Sequence, residues 1–494
     1  MSEVSKPPVI APDQSTPNEP NKWVAFTAIG IAFFTMVASM GMVFIALAQI
    51  ADTFGVTLRS ASWIVIVQGL TISAFMLPMG RMADIIGRKK VHLIGLVLFG
   101  GGSVFTALAP SFGLLILARV VTAIGNSMGQ SVGTAMVLSV FPAHERGKAI
   151  GAQTTSVAIG GAIGPVIAGL VLQFLPWESL FLMLTIPIGI AFVAGYFILD
   201  EKVVSQQRRA GERRVFDWVG AIVSGLMIVV VVILINNPFG VAVASPLILG
   251  GAASAVILLS FFVWWELKSD SPMLELRMFK NVMFTMAIAT RFLGFLGTTT
   301  VRFLMPIYLI SLRDIQEAAA GGILFLTSLG MAVAASSSGR MGDRIGERPF
   351  TVIGFAMLVA TAIAFMVFSS DTPFWIVMVV LLINGLAMGL WGVPNNSTIL
   401  GAVSKESFGV VGALTNLTRN VGNVAGQAIA SAVVVGVMVA DGFDIPLSDI
   451  TGNKAASDSF MNGWKYAYLL VTVFSLMGLA LAILTKPKRP DPTE

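Results

Sequence analysis

The sequence has no cysteine and only two histidines among its 494 residues. Disulfides, thiol catalysis and thiolate metal sites are therefore excluded, and His92 and His144 are too few for an imidazole metal cage. Charged residues make up 12% of the chain, about half of the fraction in an average soluble domain. No P-loop pattern is present, which argues against ATP hydrolysis. The chain is therefore not expected to be an enzyme, to hold a cofactor or to bind nucleic acid.

Apolar residues are in excess, at 56% with a mean hydropathy of +0.86. A helix needs about 20 such residues to cross the hydrocarbon core of a bilayer. Helices satisfy their own backbone hydrogen bonds in lipid, and the short alternating segments of a barrel are absent. The sequence predicts an all-α polytopic membrane protein. Fourteen spans are expected, at 23–50, 61–82, 91–109, 113–140, 149–174, 179–199, 217–236, 246–265, 282–311, 320–341, 350–369, 373–400, 407–440 and 464–485.

Lysine and arginine are distributed unequally between the loops. If the N-terminus is cytoplasmic, about 23 of the 31 basic residues fall in inner segments and about four in outer ones. This positive-inside pattern predicts that both termini lie in the cytoplasm, with the protein in the cell (inner) membrane. Residues 1–22 are polar and Pro-rich and are expected to form a disordered cytoplasmic N-terminus, and 486–494 a cytoplasmic tail. The first span is long and has no small-residue cleavage site, so it is expected to be an anchor and not a removable signal peptide.

A nine-residue segment occurs twice. GRMADIIGR at Gly80–Arg88 returns as GRMGDRIGE at Gly339–Glu347, 259 residues later. The same offset carries the start of the first span onto the start of the ninth. The chain is therefore predicted to form two six-helix bundles, 23–199 and 282–485, joined by a linker, 200–281, that holds two extra spans. Parallel halves with a site between them are a transporter architecture.

The repeated segment has the chemistry of a reversible contact. Gly80 and Gly339 end a span where another helix could approach closely. Asp84 and Asp343 lie about one turn beyond, where a carboxylate could cap the N-terminus of another helix. Arg88 follows Asp84 by four residues and could pair with it. We predict a conformational latch made of these five residues; the alternative is a solvated, positively charged turn.

At these residues the chain resembles the major facilitator superfamily. The segment from Gly80 to Lys90 resembles the family signature between the second and third spans, and Leu115 to Arg119 resembles its fourth-span arginine motif. Fourteen spans resemble the drug/proton antiporter branch. That resemblance implies alternating access and export of hydrophobic or amphiphilic compounds by proton antiport. The fifth-span antiporter motif is matched by Gly160, Gly164, Pro165 and Gly169.

The chain departs from that branch in its first span. The position usually held by an acidic residue is Ser39, and Gln68 replaces the tyrosine that usually follows the second-span tryptophan. Proton antiport needs a group that titrates within the pathway. The missing acid therefore weakens the expectation of proton coupling.

Four arginines lie well inside predicted spans, and no Asp or Glu does. They are Arg119, Arg291, Arg302 and Arg419. Charge at that depth is costly and marks a functional hypothesis. Arg291 and Arg302 are eleven residues apart, on nearly the same helix face and about 16 Å apart along it. An arginine fork suits carboxylate, phosphate or sulfate, although each arginine could instead cap backbone carbonyls or snorkel to an interface. The second hypothesis is therefore a translocator of lipid or another anionic amphiphile, with weak or no proton coupling.

Other polar residues could also contact a substrate, or could equally bond a neighbouring helix. A third hypothesis, a non-transporting membrane sensor or scaffold, is disfavoured by the latch motif in both halves. The expected partners are a small-molecule or lipid substrate, protons and membrane lipids, with the protein a monomer. The predicted cavity residues are Arg119, Arg302, Arg419, Ser39, Gln68, Trp391, Asn395 and Asn396.

Overall fold

The computed structural model is a bundle of long helices. It describes residues 22–56, 63–142, 145–204, 216–236, 245–269, 272–404, 407–443 and 454–485, so the predictions for 1–21 and 486–494 lie outside it. Within these ranges it has helices but no strand, which confirms the all-α fold class. The fourteen long helices described are α1 Lys22–Phe54, α2 Trp63–Ile86, α3 Arg88–Ala107, α4 Phe112–Val140, α5 Arg146–Val171, α6 Glu178–Ile198, α7 Trp218–Asn236, α8 Pro246–Lys268, α9 Val282–Ile307, α10 Glu317–Ile345, α11 Arg348–Met366, α12 Phe374–Gly401, α13 Phe408–Ala440 and α14 Lys454–Leu484.

The helices match the predicted spans one for one. In the described part of the chain, 13 segments are long and apolar enough to cross a membrane, and the shorter apolar stretch Trp218–Leu234 belongs to α7. The largest difference is at α14, which begins at Lys454 and not at residue 464. Its first turns are helical because Phe460 packs into the core and the Ser459 hydroxyl donates a hydrogen bond to Asp441 at 2.6 Å.

Several helices begin at sequence features that satisfy their first backbone N–H groups. The Asn281 side chain accepts hydrogen bonds from the first turn of α9, at 3.0 Å from the Met283 nitrogen. Ser245 does the same for α8, accepting from Ile248 at 3.3 Å, and Pro246 occupies the first helical position. Asn281 and Ser245 each accept a hydrogen bond from a backbone N–H that has no partner within the helix. Pro246 has no backbone N–H and therefore needs no such partner.

The six helices α1–α6 and the six helices α9–α14 pack with the same internal pairing. In the first set α3 packs on α4, α2 on α4, α1 on α5, α3 on α6 and α1 on α6. Each pairing recurs eight helices later, as α11 on α12, α10 on α12, α9 on α13, α11 on α14 and α9 on α14. The same pattern of helix pairs therefore occurs twice in the described part of the chain.

The repeated segments form matching turns at one end of the bundle. Gly87 has φ +109° between α2 and α3, and Gly346 has φ +91° between α10 and α11. These values are accessible to glycine and strained for other residues, so each turn requires its glycine. We call this end of the bundle the motif end, and the end where α1 finishes and α2 begins the far end.

The two halves meet mainly near the motif end. Helix α5 packs on α10, while α13 packs on α2 and α4. One apolar cluster there combines residues of both halves, such as Met76 and Leu138 with Val411 and Leu414. The extra helices α7 and α8 pack on each other, and α7 also packs on α2 and α13.

Candidate functional site

A cavity of about 530 Å³ lies between the halves, beyond the packing of the motif end. Helices α1, α2, α4 and α5 line it on one side and α9, α10, α12 and α13 on the other, with one residue from α7. Much of the wall is apolar, including Met40, Phe295, Met331, Met388 and Trp391. The volume suits a drug-sized organic molecule.

Three arginines line this cavity, and none of its described lining residues is Asp or Glu. The Arg291 Nε donates to the Thr415 carbonyl oxygen at 2.9 Å, and its guanidinium carbon lies 5.1 Å from the Phe295 ring centroid. Arg302 and Arg419 line the same cavity as Arg291, so the three like charges repel one another. The cavity is therefore strongly positive, because the low-dielectric surroundings screen these charges poorly.

Arg302 is the most available of the three. It lines the cavity and its surface is exposed, whereas Arg291 is buried and Arg419 is half-buried. No described residue accepts a hydrogen bond from Arg302 or forms an ion pair with it. Its guanidinium is therefore available to a ligand that enters the cavity.

Gln130 lines the cavity and forms hydrogen bonds between the two halves. Its Oε1 accepts a hydrogen bond from the Arg419 Nη2 at 2.5 Å, and its Nε2 donates to Asn126 at 2.6 Å. Its backbone oxygen accepts a bond from the Asn416 amide at 3.0 Å. A neutral amide thus occupies the position beside Arg419 where a carboxylate would neutralise the charge.

The cavity brings together some of the predicted residues and not others. Arg302, Arg419, Gln68, Trp391 and Asn396 line it. The remaining three predicted residues, which are Ser39, Arg119 and Asn395, are not part of its lining.

Those three residues have local hydrogen-bond partners. The Ser39 hydroxyl donates to the Met36 carbonyl at 2.8 Å, and the Asn395 amide donates to the Ala287 carbonyl at 3.0 Å. Arg119 is 0% exposed, donates to the Gln68 side-chain oxygen, and lies 5.3 Å from the Phe181 ring centroid. Gln68 therefore stands between Arg119 and the cavity.

The predicted latch residues lie in contacts at the motif end. The Asp343 carboxylate accepts hydrogen bonds from the backbone N–H groups of Gly147 at 2.8 Å and Lys148 at 3.0 Å, at the start of α5. Arg88 lies 3.3 Å from Asp84, and both side chains are buried. Asp343 thus joins the halves, whereas the Arg88–Asp84 pair lies within the first half.

Glycines allow the closest approaches of the backbone. A Cβ on Gly339 would lie 2.2 Å from the Gly147 carbonyl oxygen, across the α5–α10 contact. Within the first half, a Cβ on Gly164 would lie 2.4 Å from the Ala38 oxygen and one on Gly160 2.6 Å from the Phe34 oxygen. Gly169 has nothing within 4 Å of that position, and Pro165 packs against Gly41 of α1.

Sequence reasoning missed a polar stripe on α13. The cavity is lined by Asn416, Asn420, Asn423 and Gln427, and none of them is among the predicted cavity residues. Their spacing of three or four residues places them on one helix face. That period was visible in the sequence and would have identified this face of α13 as polar.

Comparisons with known proteins agree with this architecture. The family model described as Major Facilitator Superfamily matches residues 29–427. The chain is 28% identical over 416 residues to the riboflavin transporter RibZ of Clostridioides difficile, covering 83% of this chain and 88% of that one. It is 27% identical to the multidrug resistance protein Stp of Mycobacterium tuberculosis, covering 82% of this chain and 75% of that one.

A solved structure has the same fold. The crystal structure of the human organic anion transporter MFSD10 (TETRAN) superposes with a TM-score of 0.64, covering 94% of this chain and 100% of that one. At 15% sequence identity, this likeness concerns the fold alone. The family and the relatives are transporters, not enzymes, and the many membrane-spanning helices make the chain an integral multi-pass membrane protein.

Proposed function

Because the chain belongs to the Major Facilitator Superfamily, we propose that it is a secondary transporter of amphiphilic organic anions that works by alternating access. One observation carries this proposal: three arginines and no acidic residue line the cavity among the described residues. A cation inside a membrane-spanning segment is costly unless a negative charge accompanies it. A carboxylate, sulfonate or phosphate group on the substrate would supply that charge at Arg302.

The apolar wall supports the second part of the proposal. Phe295, Trp391, Met331 and Met388 offer aromatic and thioether surface within the same cavity. A small inorganic anion would leave this surface in contact with water, whereas an organic anion would bury it. The binding free energy becomes more favourable by about 25 cal/mol for each Å² of apolar surface removed from water.

Alternating access assigns roles to the rest of the chain. The moving bodies are residues 23–199 and 282–485, and 200–281 is the linker that carries α7 and α8. In this proposal Gly339 and Asp343 close the motif end across the two halves. The other latch residues, Gly80, Asp84 and Arg88, belong to the matching turn of the first half. From the positive-inside distribution of charge, we expect that end and both termini to lie in the cytoplasm. The protein then exports its substrate as a monomer in the cell (inner) membrane.

Proton antiport of hydrophobic compounds is the second candidate. It is favoured by the relative whose name denotes multidrug resistance and by the glycine-rich motif of α5. Against it, the acids nearest the pathway by sequence, Asp84, Asp343 and Glu178, are not part of the cavity lining. Translocation of a lipid with an acidic headgroup belongs to the first proposal, since its headgroup would use the same arginines.

Transport in proteoliposomes separates these functions. Three probes would be compared with and without an imposed pH gradient: octanesulfonate, the cationic dye ethidium, and a fluorescent phosphatidylglycerol. We expect octanesulfonate or the acidic lipid to move, with a loss of at least tenfold in Arg302→Ala and partial retention in Arg302→Lys. Ethidium efflux that stops when the gradient collapses and is unchanged in Arg302→Ala would overturn the anion proposal. Movement of no probe would favour the sensor or scaffold.

A further inference from the structure

Helix α7 reaches the cavity although it lies outside both six-helix sets. Val232 is 2% exposed overall, and it is the α7 residue that lines the cavity. The same helix packs on α2 of the first half and on α13 of the second. At this side of the cavity the wall therefore includes a residue of the inserted pair.

The register of α7 brings Val232 to the cavity wall. A Cβ on Gly225 would lie 3.8 Å from the Ala74 carbonyl oxygen, so α7 packs on α2 at this position. Val232 follows Gly225 by seven residues, about 10 Å further from the motif end. The buried face repeats every four residues as Ser224, Ile228 and Val232.

The opposite seam between the halves is built differently. There α5 and α10 meet backbone to backbone, since a Cβ on Gly151 would lie 2.7 Å from the Ala335 carbonyl oxygen. The Thr155 hydroxyl also donates to the Ala332 carbonyl at 3.2 Å. That contact leaves no space for a third helix, so the involvement of α7 makes the two sides of the cavity unequal.

The side that α7 completes is apolar and lies near the positive charge. Leu70 of α2 and Val424 of α13 line the cavity with Val232, and all three belong to or pack against one apolar cluster. Val424 follows Arg419 by five residues on the same helix, a rise of about 7.5 Å. A ligand of a few methylene groups spans that distance.

We propose that α7 is part of the substrate site, with Val232 in contact with the apolar tail of a substrate whose acidic head lies at Arg419 and Arg302. This inference deepens the proposed function and rests on it for the charge of the head. It names the substrate class as a single-headed anion with an aliphatic or aromatic tail, and it gives the inserted helix a role in specificity. A compact hydrophilic anion would not use this wall.

The test measures binding of alkylsulfonates to the full chain in phosphatidylcholine nanodiscs by calorimetry, with empty nanodiscs subtracted. In the wild type, each methylene that reaches the wall should tighten binding about fourfold, so octanesulfonate binds far better than butanesulfonate. Val232→Phe should weaken the binding of octanesulfonate about tenfold, because the larger ring fills the space for the tail. The affinity for butanesulfonate should stay within about twofold of the wild-type value. Val232→Ala should also weaken the binding of octanesulfonate more than that of butanesulfonate. If Val232→Phe does not fold, the result for Val232→Ala alone tests the proposed role of α7.

Leu226→Phe is the matched control, because Leu226 is on the same helix and 50% exposed on another face. It should leave both probes unchanged. The proposed role of α7 would be overturned if Val232→Phe and Val232→Ala reduced the affinity for both probes equally. It would also be overturned if neither variant changed the affinity for either probe. A second series of alkyltrimethylammonium ions separates the two proposals: if only these cations bind and they remain sensitive to Val232, the α7 wall stands and the anion proposal fails. If substitution of Val232 changes the affinity for no probe of either charge, the proposed contact between α7 and the substrate is refuted.

Discussion

Asp343 and Gly147 are joined by a hydrogen bond of 2.8 Å that crosses from one half of the chain to the other. The second carboxylate oxygen of Asp343 accepts from Lys148 at 3.0 Å, so one side chain caps the first turn of α5. A negative charge at a helix N-terminus is stabilised by the unpaired N–H groups and by the helix dipole. The contact therefore favours the state in which the motif end is closed.

Removal of that carboxylate should loosen the motif end. Asp343→Ala loses a helix cap, which costs about 1 kcal/mol. Spin labels at Lys90 and Arg344, on different halves at this end, should show a second, longer distance population by pulsed electron resonance. Asp371→Ala, an exposed acid of the same half, should leave the distribution unchanged. An unaltered distance in Asp343→Ala would refute the latch.

Gly339→Ala should prevent full closure. Its Cβ would lie 2.2 Å from the Gly147 carbonyl oxygen, so α5 and α10 must separate. Overpacking of this kind costs about 1–3 kcal/mol, and transport of octanesulfonate in proteoliposomes should fall about tenfold or more. Gly342→Ala is the control on the same helix, because its nearest neighbour is Glu347 Cγ at 4.0 Å. Equal transport by the two variants would contradict this packing.

Two glycines of α5 provide a second pair of matched variants, Gly164→Ala and its control Gly169→Ala. Gly164→Ala brings a Cβ to 2.4 Å from the Ala38 carbonyl oxygen, whereas Gly169 has nothing within 4 Å. We expect Gly164→Ala to lower the melting temperature in detergent, with a cost of about 1–3 kcal/mol. Gly169→Ala should melt at or slightly above the wild-type temperature, since alanine is the better helix former. If both variants melt alike, α1 and α5 do not pack as described.

Gln130 should control anion binding through Arg419. Gln130→Glu places a carboxylate where the amide oxygen now lies 2.5 Å from the guanidinium. An ion pair with Arg419 would compete with a bound anion, and octanesulfonate affinity should fall at least about tenfold. Gln153→Glu adds the same charge to the cavity wall at a residue that bonds Thr134 and no arginine. An equal loss in both variants would show that charge alone, and not the Arg419 contact, decides affinity.

Glu347 should make the motif end sensitive to pH. Burial, together with the negative charge of Asp343, raises the pKa of the Glu347 carboxyl above its ordinary value. The folded state therefore holds this proton more tightly than the unfolded chain does. Stability should fall as pH rises from the ordinary glutamate pKa through the raised one. The difference in melting temperature between the wild type and Glu347→Gln should follow that trend, and a pH-independent difference would contradict the raised pKa.

The membrane-spanning framework could be predicted from the sequence by itself. A span must be about 20 apolar residues long because the bilayer core admits no unsatisfied backbone. The repeated segments Gly80–Arg88 and Gly339–Glu347 predict a duplication, and both turns have a glycine at the same place. The start of α14 was missed because residues 454–463 are too polar to be recognised as a span, and their helix is held by packing around Phe460.

Only the tertiary structure decided which side chains face the cavity. Ser39, Arg119 and Asn395 are as polar as Gln68 and Asn396, yet they lie outside its lining. Helix α7 is apolar on nearly every face, so its sequence alone does not distinguish the inward-facing Val232 from the exposed Leu226. Lipid and protein interior are equally apolar solvents for such a helix. Its rotation is set by contacts with α2 and α13, and those contacts exist only in the folded chain.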